Sequence, residues 1–164
     1  MYVHQGLAIS IIDDDVQASV MLEDFLKQKF AGSEISVFKS GKDALEGMVN
    51  EPDVIILDYH LDSIADALNG IEVLKKLKER FENAPIIFLS NQEHAEIAAN
   101  TIKFGAYDYI VSNVNSFHKV EIVINNIVGH AELKKNLGTQ RFFNRLLVVL
   151  LIILITGYFI FRMR

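Results

Sequence analysis

Five short apolar runs govern what this chain can become. They are LAISII (7–12), EISVF (34–38), DVIILD (53–58), PIIFLS (85–90) and YDYIVS (107–112). Each has the length of a strand, and most lack the polar alternation of a half-exposed one, as expected of strands covered on both faces. Amphipathic stretches fill the intervals. VQASVMLEDFLKQKF (16–30) places Val16, Val20, Met21, Phe25 and Leu26 at helical spacing before Gly32. SGKDALEGMV (40–49) offers Ser40 as an N-cap, and GIEVLKKLKERF (70–81) offers Asn69. EHAEIAANTIKFG (93–105) ends in glycine, and FHKVEIVINNIVGHAELKKNL (117–137) carries Val120, Ile124, Ile127 and Ala131 on one face. Strict alternation of strand and helix predicts βαβ units, hence an α/β chain with a doubly wound five-stranded parallel sheet.

Sheets of this kind bind ligands beyond the carboxyl ends of their strands, near the point where strand order reverses. The residues at those ends are therefore the ones to inspect. Asp13, Asp14 and Asp15 follow the first run, Asp58 closes the third, Ser90 the fourth and Ser112 the fifth. Carboxylates brought together from two strand ends repel one another unless a hard cation sits between them, and Mg²⁺ takes oxygen ligands while keeping several waters. With Mg²⁺ neutralising the transferring oxygens, Asp58 can act as a nucleophile toward a phosphoryl group. Ser90 could donate a hydrogen bond to the resulting acylphosphate. Asp15 is read as a helix cap.

The stretches IIDDD, VIILDYHL, NGIEVLKKLKE, PIIFLSNQ and FGAYDYIVSN, in that order, resemble a response-regulator receiver domain, from about Leu7 to about Gly129. The resemblance implies the flavodoxin-like receiver fold, with Asp58 as phosphoacceptor, Asp14 as a direct Mg²⁺ ligand and Asp13 as the acid that holds the metal through water. It implies that His60 lends the metal its backbone carbonyl. Ser90 matches the switch hydroxyl, and Tyr109 the aromatic ring that changes rotamer with it. Two departures stand out. The family has a lysine ending the fifth strand, usually followed by proline, where this chain has Ser112 and Asn113. The loop YHLDSIADALN (59–69) is about four residues longer than usual and lacks the common proline. Lys103 and Lys119 are assigned to helices and are not expected to replace the missing ammonium.

The segment 146–161 is sixteen residues without a charge, thirteen of them Leu, Ile, Val or Phe. As a helix it is about 24 Å long against a hydrocarbon core of about 30 Å, and Phe142, Phe143, Arg145 and Arg162 can make up the difference. It is apolar on every side, unlike a surface helix of a soluble domain. A C-terminal transmembrane helix is expected. Lys134, Lys135, Arg141 and Arg145 precede it, which places the body in the cytoplasm. The expected organisation is a receiver domain over 1–130, a basic linker or helix extension over 131–141 and a transmembrane anchor over 142–164.

Charge excludes other classes. The overall net charge is −5, but residues 1–130 hold 20 acids and 10 bases, a net −10, and residues 131–164 hold one acid and six bases, a net +5. An acidic body is no nucleic-acid binder, since phosphate contacts need clustered lysine and arginine. Cysteine is absent, so disulfides and thiolate metal sites are excluded. The N-terminus lacks the basic stretch of a signal peptide. The five histidines show no ligand spacing. A dehalogenase-like phosphatase would need an Asp-x-Asp pair and a separate motif lysine, and no such lysine follows.

The resulting expectation is a membrane-anchored single-domain response regulator and no enzyme. A histidine kinase or phosphotransfer protein phosphorylates Asp58, and affinity for an unknown downstream protein changes near Tyr109. The last helix could present a homodimer face beside the bilayer. The alternative is a phosphorylation-independent pseudo-receiver that serves as a membrane docking scaffold.

Overall fold

Hydrogen bonding in register assembles the five apolar runs into one parallel sheet. A computed structural model describes residues 6–61, 69–91, 95–131, 133, 145–149 and 162. The strands are β1 (Ala8–Ile12), β2 (Glu34–Phe38), β3 (Val54–Asp58), β4 (Ile86–Ser90) and β5 (Asp108–Val111). The helices are α1 (Val16–Lys29), α2 (Gly41–Gly47), α3 (Gly70–Arg80) and α4 (Ala95–Lys103), followed by α5 over 116–131. Strand order is β2-β1-β3-β4-β5, with every pair parallel. The chain leaves β1 toward β2 and returns across it to β3, so the order reverses beside β1, and the crevice lies between the ends of β1 and β3.

The central strands are buried on both faces, which explains their unbroken apolar sequences. Val54, Ile55, Ile56 and Leu57 of β3 and Ile86, Ile87 and Phe88 of β4 are all essentially inaccessible. Ile55, Leu57, Ile86 and Phe88 join Val73, Leu74 and Leu77 of α3 and Leu61 in one cluster. Full burial of each such side chain contributes roughly 1.5–3 kcal/mol, so this cluster fixes where β3 ends.

The helix starts follow the sequence reading. Asp15 caps α1 by accepting from the N–H groups of Gln17 and Ala18, Ser40 caps α2 through Asp43 N–H, and Asn69 caps α3 through Glu72 N–H. At the far end of α2, Arg80 of α3 donates to the carbonyls of Leu45 and Met48.

Two helix faces differ from expectation. On α1 the buried side is Ser19, Leu22 and Leu26, whereas Val16, Val20 and Met21 are exposed. Ser19 can be buried because its hydroxyl donates to the Val16 carbonyl, so the polar atom keeps a partner. On α5, Val120, Val123 and Ile124 are buried, while Ile127 is half-buried and Ala131 exposed.

The chain divides into two compact units, Met1–Ile124 and Asn125–Arg164. In the second, residues 145–149 are helical, and Leu146, Leu147, Val148 and Val149 are each 52–58% exposed. Among the described residues no helix is long and apolar enough to cross a membrane. Residues 150–161, most of the apolar segment, lie outside the described residues, as do 62–68 of the long loop, 92–94 before α4 and 134–144 of the linker and anchor.

Candidate functional site

The crevice at the ends of β1 and β3 gathers the acids. Asp13 and Asp14 stand immediately after β1, and Asp58 is the last residue of β3. Oxygens of Asp13, Asp14 and Asp58 all lie within 4.8 Å of one another. Two oxygens bound at about 2.1 Å to one Mg²⁺ are at most about 4.2 Å apart, so this spacing fits one ion with one of the acids reached through water. The donor set, carboxylate oxygen alone, also suits a hard cation.

Backbone groups aim these side chains. Asp13 is buried, its N–H donates to Phe38 O at 3.1 Å, and its Oδ1 accepts from Asp15 N–H at 2.8 Å. That leaves its second oxygen for a metal-bound water. Asp58 is half-buried, and its Oδ1 accepts from Tyr59 N–H at 2.7 Å. A second backbone N–H, that of His60, also donates to its carboxylate. Tyr59 N–H lies 2.9 Å from Leu89 O as well, which ties the Asp58 end of β3 to β4.

Negative charge is concentrated here. Burial pushes the Asp58 carboxyl up to about 7, reinforced by the negative charge of Asp13 and opposed by the two backbone N–H groups. Burial likewise pushes Asp13 up to about 6, with Asp15 and Asp14 adding repulsion. Among the described residues, the charges that act on both groups are other carboxylates. Such a site has a standing demand for a cation.

The remaining predicted residues line the neighbouring strand ends. Ser90 ends β4, is wholly buried, and follows Leu89, the register partner of Asp58. Tyr109 on β5 pairs in register with Phe88 and is half-buried against the core cluster. His60 is half-buried with its ring edge-on to Tyr59, centroids 5.1 Å apart. Ser112, where the family lysine would stand, follows β5, and its N–H donates to Ser90 O at 2.7 Å. Lys103 and Lys119 are exposed on α4 and α5. Sequence reasoning missed the backbone N–H groups of Tyr59 and His60, which carry no side-chain signature.

Residues 9–123 match the family profile of the response regulator receiver domain. The chain belongs to the response-regulator receiver family. The receiver is 24% identical over 127 residues to the regulatory protein LuxO of Vibrio cholerae, covering 77% of this chain and 26% of that protein. It thus spans about a quarter of that relative's length. Among solved structures it is similar to the receiver domain of Francisella response regulator 1452, with TM-score 0.66, 26% identity and coverage of 76% and 98% of the two chains. It also shares the fold of a chain in the CheX–CheY–BeF₃–Mg²⁺ complex of Borrelia burgdorferi, with TM-score 0.65, 21% identity and coverage of 74% and 89%. The flavodoxin-like fold and the assignment to two-component response regulators follow. The acidic pocket of this receiver is consistent with Mg²⁺.

Proposed function

We propose that this chain is a membrane-anchored response regulator, phosphorylated on Asp58 by a histidine kinase or phosphotransfer protein, that changes its affinity for a protein partner. The observation that carries the reading is the convergence of Asp13, Asp14 and Asp58 within 4.8 Å at the switch point of the sheet. Mg²⁺, held by Asp13, Asp14, Asp58 and the His60 carbonyl, would supply charge neutralisation for the transferring oxygens. Asp58, oriented by Tyr59 and His60 N–H, attacks the phosphorus of a phosphohistidine. The P–N bond breaks as the acyl P–O bond forms, and the imidazole keeps the electron pair and takes a proton from water. Ser90 lies one residue beyond the register partner of Asp58, placed to follow the new phosphoryl group and to pass the change to Tyr109 and the surface around β5. The chain accepts the group and is not an enzyme in its own right.

Incubating the full chain in detergent with acetyl phosphate and Mg²⁺ is expected to add one phosphoryl group by intact mass, and EDTA to prevent it. Mg²⁺ affinity should rise up to about tenfold per pH unit between roughly pH 6 and 7, and up to about a hundredfold per unit below pH 6, because the metal displaces protons from the raised Asp13 and Asp58 carboxyls. Titration calorimetry at several pH values checks this, and a flat profile would remove these acids from the metal site.

The anchor rests on 146–161 and on the exposed helical turn that opens it. Helical positions 100° apart sample every side, yet Leu146, Leu147, Val148 and Val149 each leave more than half their surface open. The flanking Lys134, Lys135, Arg141 and Arg145 favour a cytoplasmic body. Tethering near a membrane kinase raises effective concentration without any new contact.

One observation favours a second reading, the phosphorylation-independent scaffold. Ser112 stands where the family has a lysine, and among the described residues the charges that act on Asp58 are those of carboxylates. Absence of both the phosphoryl adduct and Mg²⁺ binding would select that reading.

A further inference from the structure

Gly70 opens α3 and is buried against the backbone that follows β3. A Cβ built at this position would lie 2.7 Å from Tyr59 O, 3.0 Å from Asp58 O and 3.0 Å from Tyr59 Cα. All three are main-chain atoms, which cannot swing aside as a side chain can.

The carbonyls have a particular meaning here. Asp58 C=O and Tyr59 N–H belong to one planar peptide unit, and Tyr59 C=O and His60 N–H to the next. Those two N–H groups are the ones that donate to the Asp58 carboxylate. Each unit therefore shows its N–H to Asp58 and its carbonyl to Gly70. A methyl group pressing on the carbonyls must tilt both planes and turn their N–H groups away from the carboxylate. Asn69 and the α3 cap hold the glycine in place from the other side, since Asn69 Oδ1 accepts from Glu72 N–H and Asn69 O from Val73 N–H.

We infer that Gly70 is a positioning residue: by lacking a side chain, it sets the two peptide planes that orient the Asp58 carboxylate toward the metal. The inference rests on the Mg²⁺ reading above. Gly41 supplies the control. Its Cβ would lie 2.1 Å from Val73 Cγ2, a closer overlap than at Gly70, but one whose nearest atoms all belong to a side chain.

The full chain in detergent micelles carries the test. Gly70→Ala is expected to weaken Mg²⁺ binding by calorimetry at least about tenfold, and to shift the Tyr59 and His60 amide resonances even without metal. Gly41→Ala should lower the thermal midpoint while leaving Mg²⁺ affinity within about twofold of the parent and those two resonances in place. Unchanged affinity in a folded Gly70→Ala chain, or equal weakening in both variants, overturns the assignment. If Gly70→Ala does not fold in buffer, the osmolyte trimethylamine N-oxide, which favours compact states, is added. A chain still unfolded there makes Gly70 a fold residue only, and the assignment fails. Lack of Mg²⁺ binding by the parent would instead sink the metal reading, while the metal-free amide shifts still report on Gly70.

Discussion

Asp58→Asn is expected to abolish phosphoryl uptake completely and, in EDTA, to make the chain more stable than its parent. The first effect is chemical, since an amide oxygen does not replace the carboxylate nucleophile. The second follows from linkage. The folded-state carboxyl sits at about 7, above an unfolded value near 3.9. Between those values the folded state binds more protons than the unfolded, so stability falls as pH rises. The contribution of this group is complete below about pH 4 and gone above about pH 7. Asparagine stays neutral throughout, so the variant should match its parent near pH 4 and gain on it as pH approaches 7. A shift of this size would correspond to about 4 kcal/mol in full, but Asp58 is partly open to water and coupled to Asp13, so about 1–2 kcal/mol is expected. Urea melts of parent and variant at pH 4, 5.5 and 7 check it. Equal midpoints at all three would show that the carboxylate is not strained by its neighbours. Saturating Mg²⁺ should stabilise the parent more than the variant and so narrow the gap or reverse it.

Deleting 142–164 is expected to release the chain from membranes entirely. Thirteen large apolar residues within 146–161, each contributing roughly −0.3 to −0.6 kcal/mol at a helix centre, sum to about −4 to −8 kcal/mol. That is a partition ratio of about 10³ to 10⁶, so the full chain should resist carbonate extraction and the truncated one should not. Recovery of the full chain as a soluble monomer after the wash would refute insertion.

The architecture was legible because the central strands are covered on both faces and so spell themselves as unbroken Val–Ile–Leu runs, as in DVIILD and PIIFLS. The acids of the site were legible for a related reason: strand ends at a switch point leave few positions for chemistry. The inner face of α1 was not. Hydrophobic spacing nominated Val16, Val20, Met21, Phe25 and Leu26; of these Leu26 is buried, but Val16, Val20 and Met21 are exposed and Ser19 and Leu22 take their place, and a serine that satisfies itself on its own helix gives no apolar signal. The clamp on Asp58 was hidden more deeply, because main-chain N–H groups are the same in every residue. The need for glycine at position 70 arises only when α3 returns to touch the peptide units after β3.

That return has an evolutionary consequence. The eleven residues 59–69 leave from and come back to the same two peptide units, so the span between is a closed ring whose ends are fixed independently of its length. Closing eleven residues instead of seven costs only about 0.4 kcal/mol of chain entropy, since the penalty grows with the logarithm of length. Insertions there can accumulate almost neutrally, leaving lineages free to lengthen this stretch of sequence while the acid cluster stays unchanged.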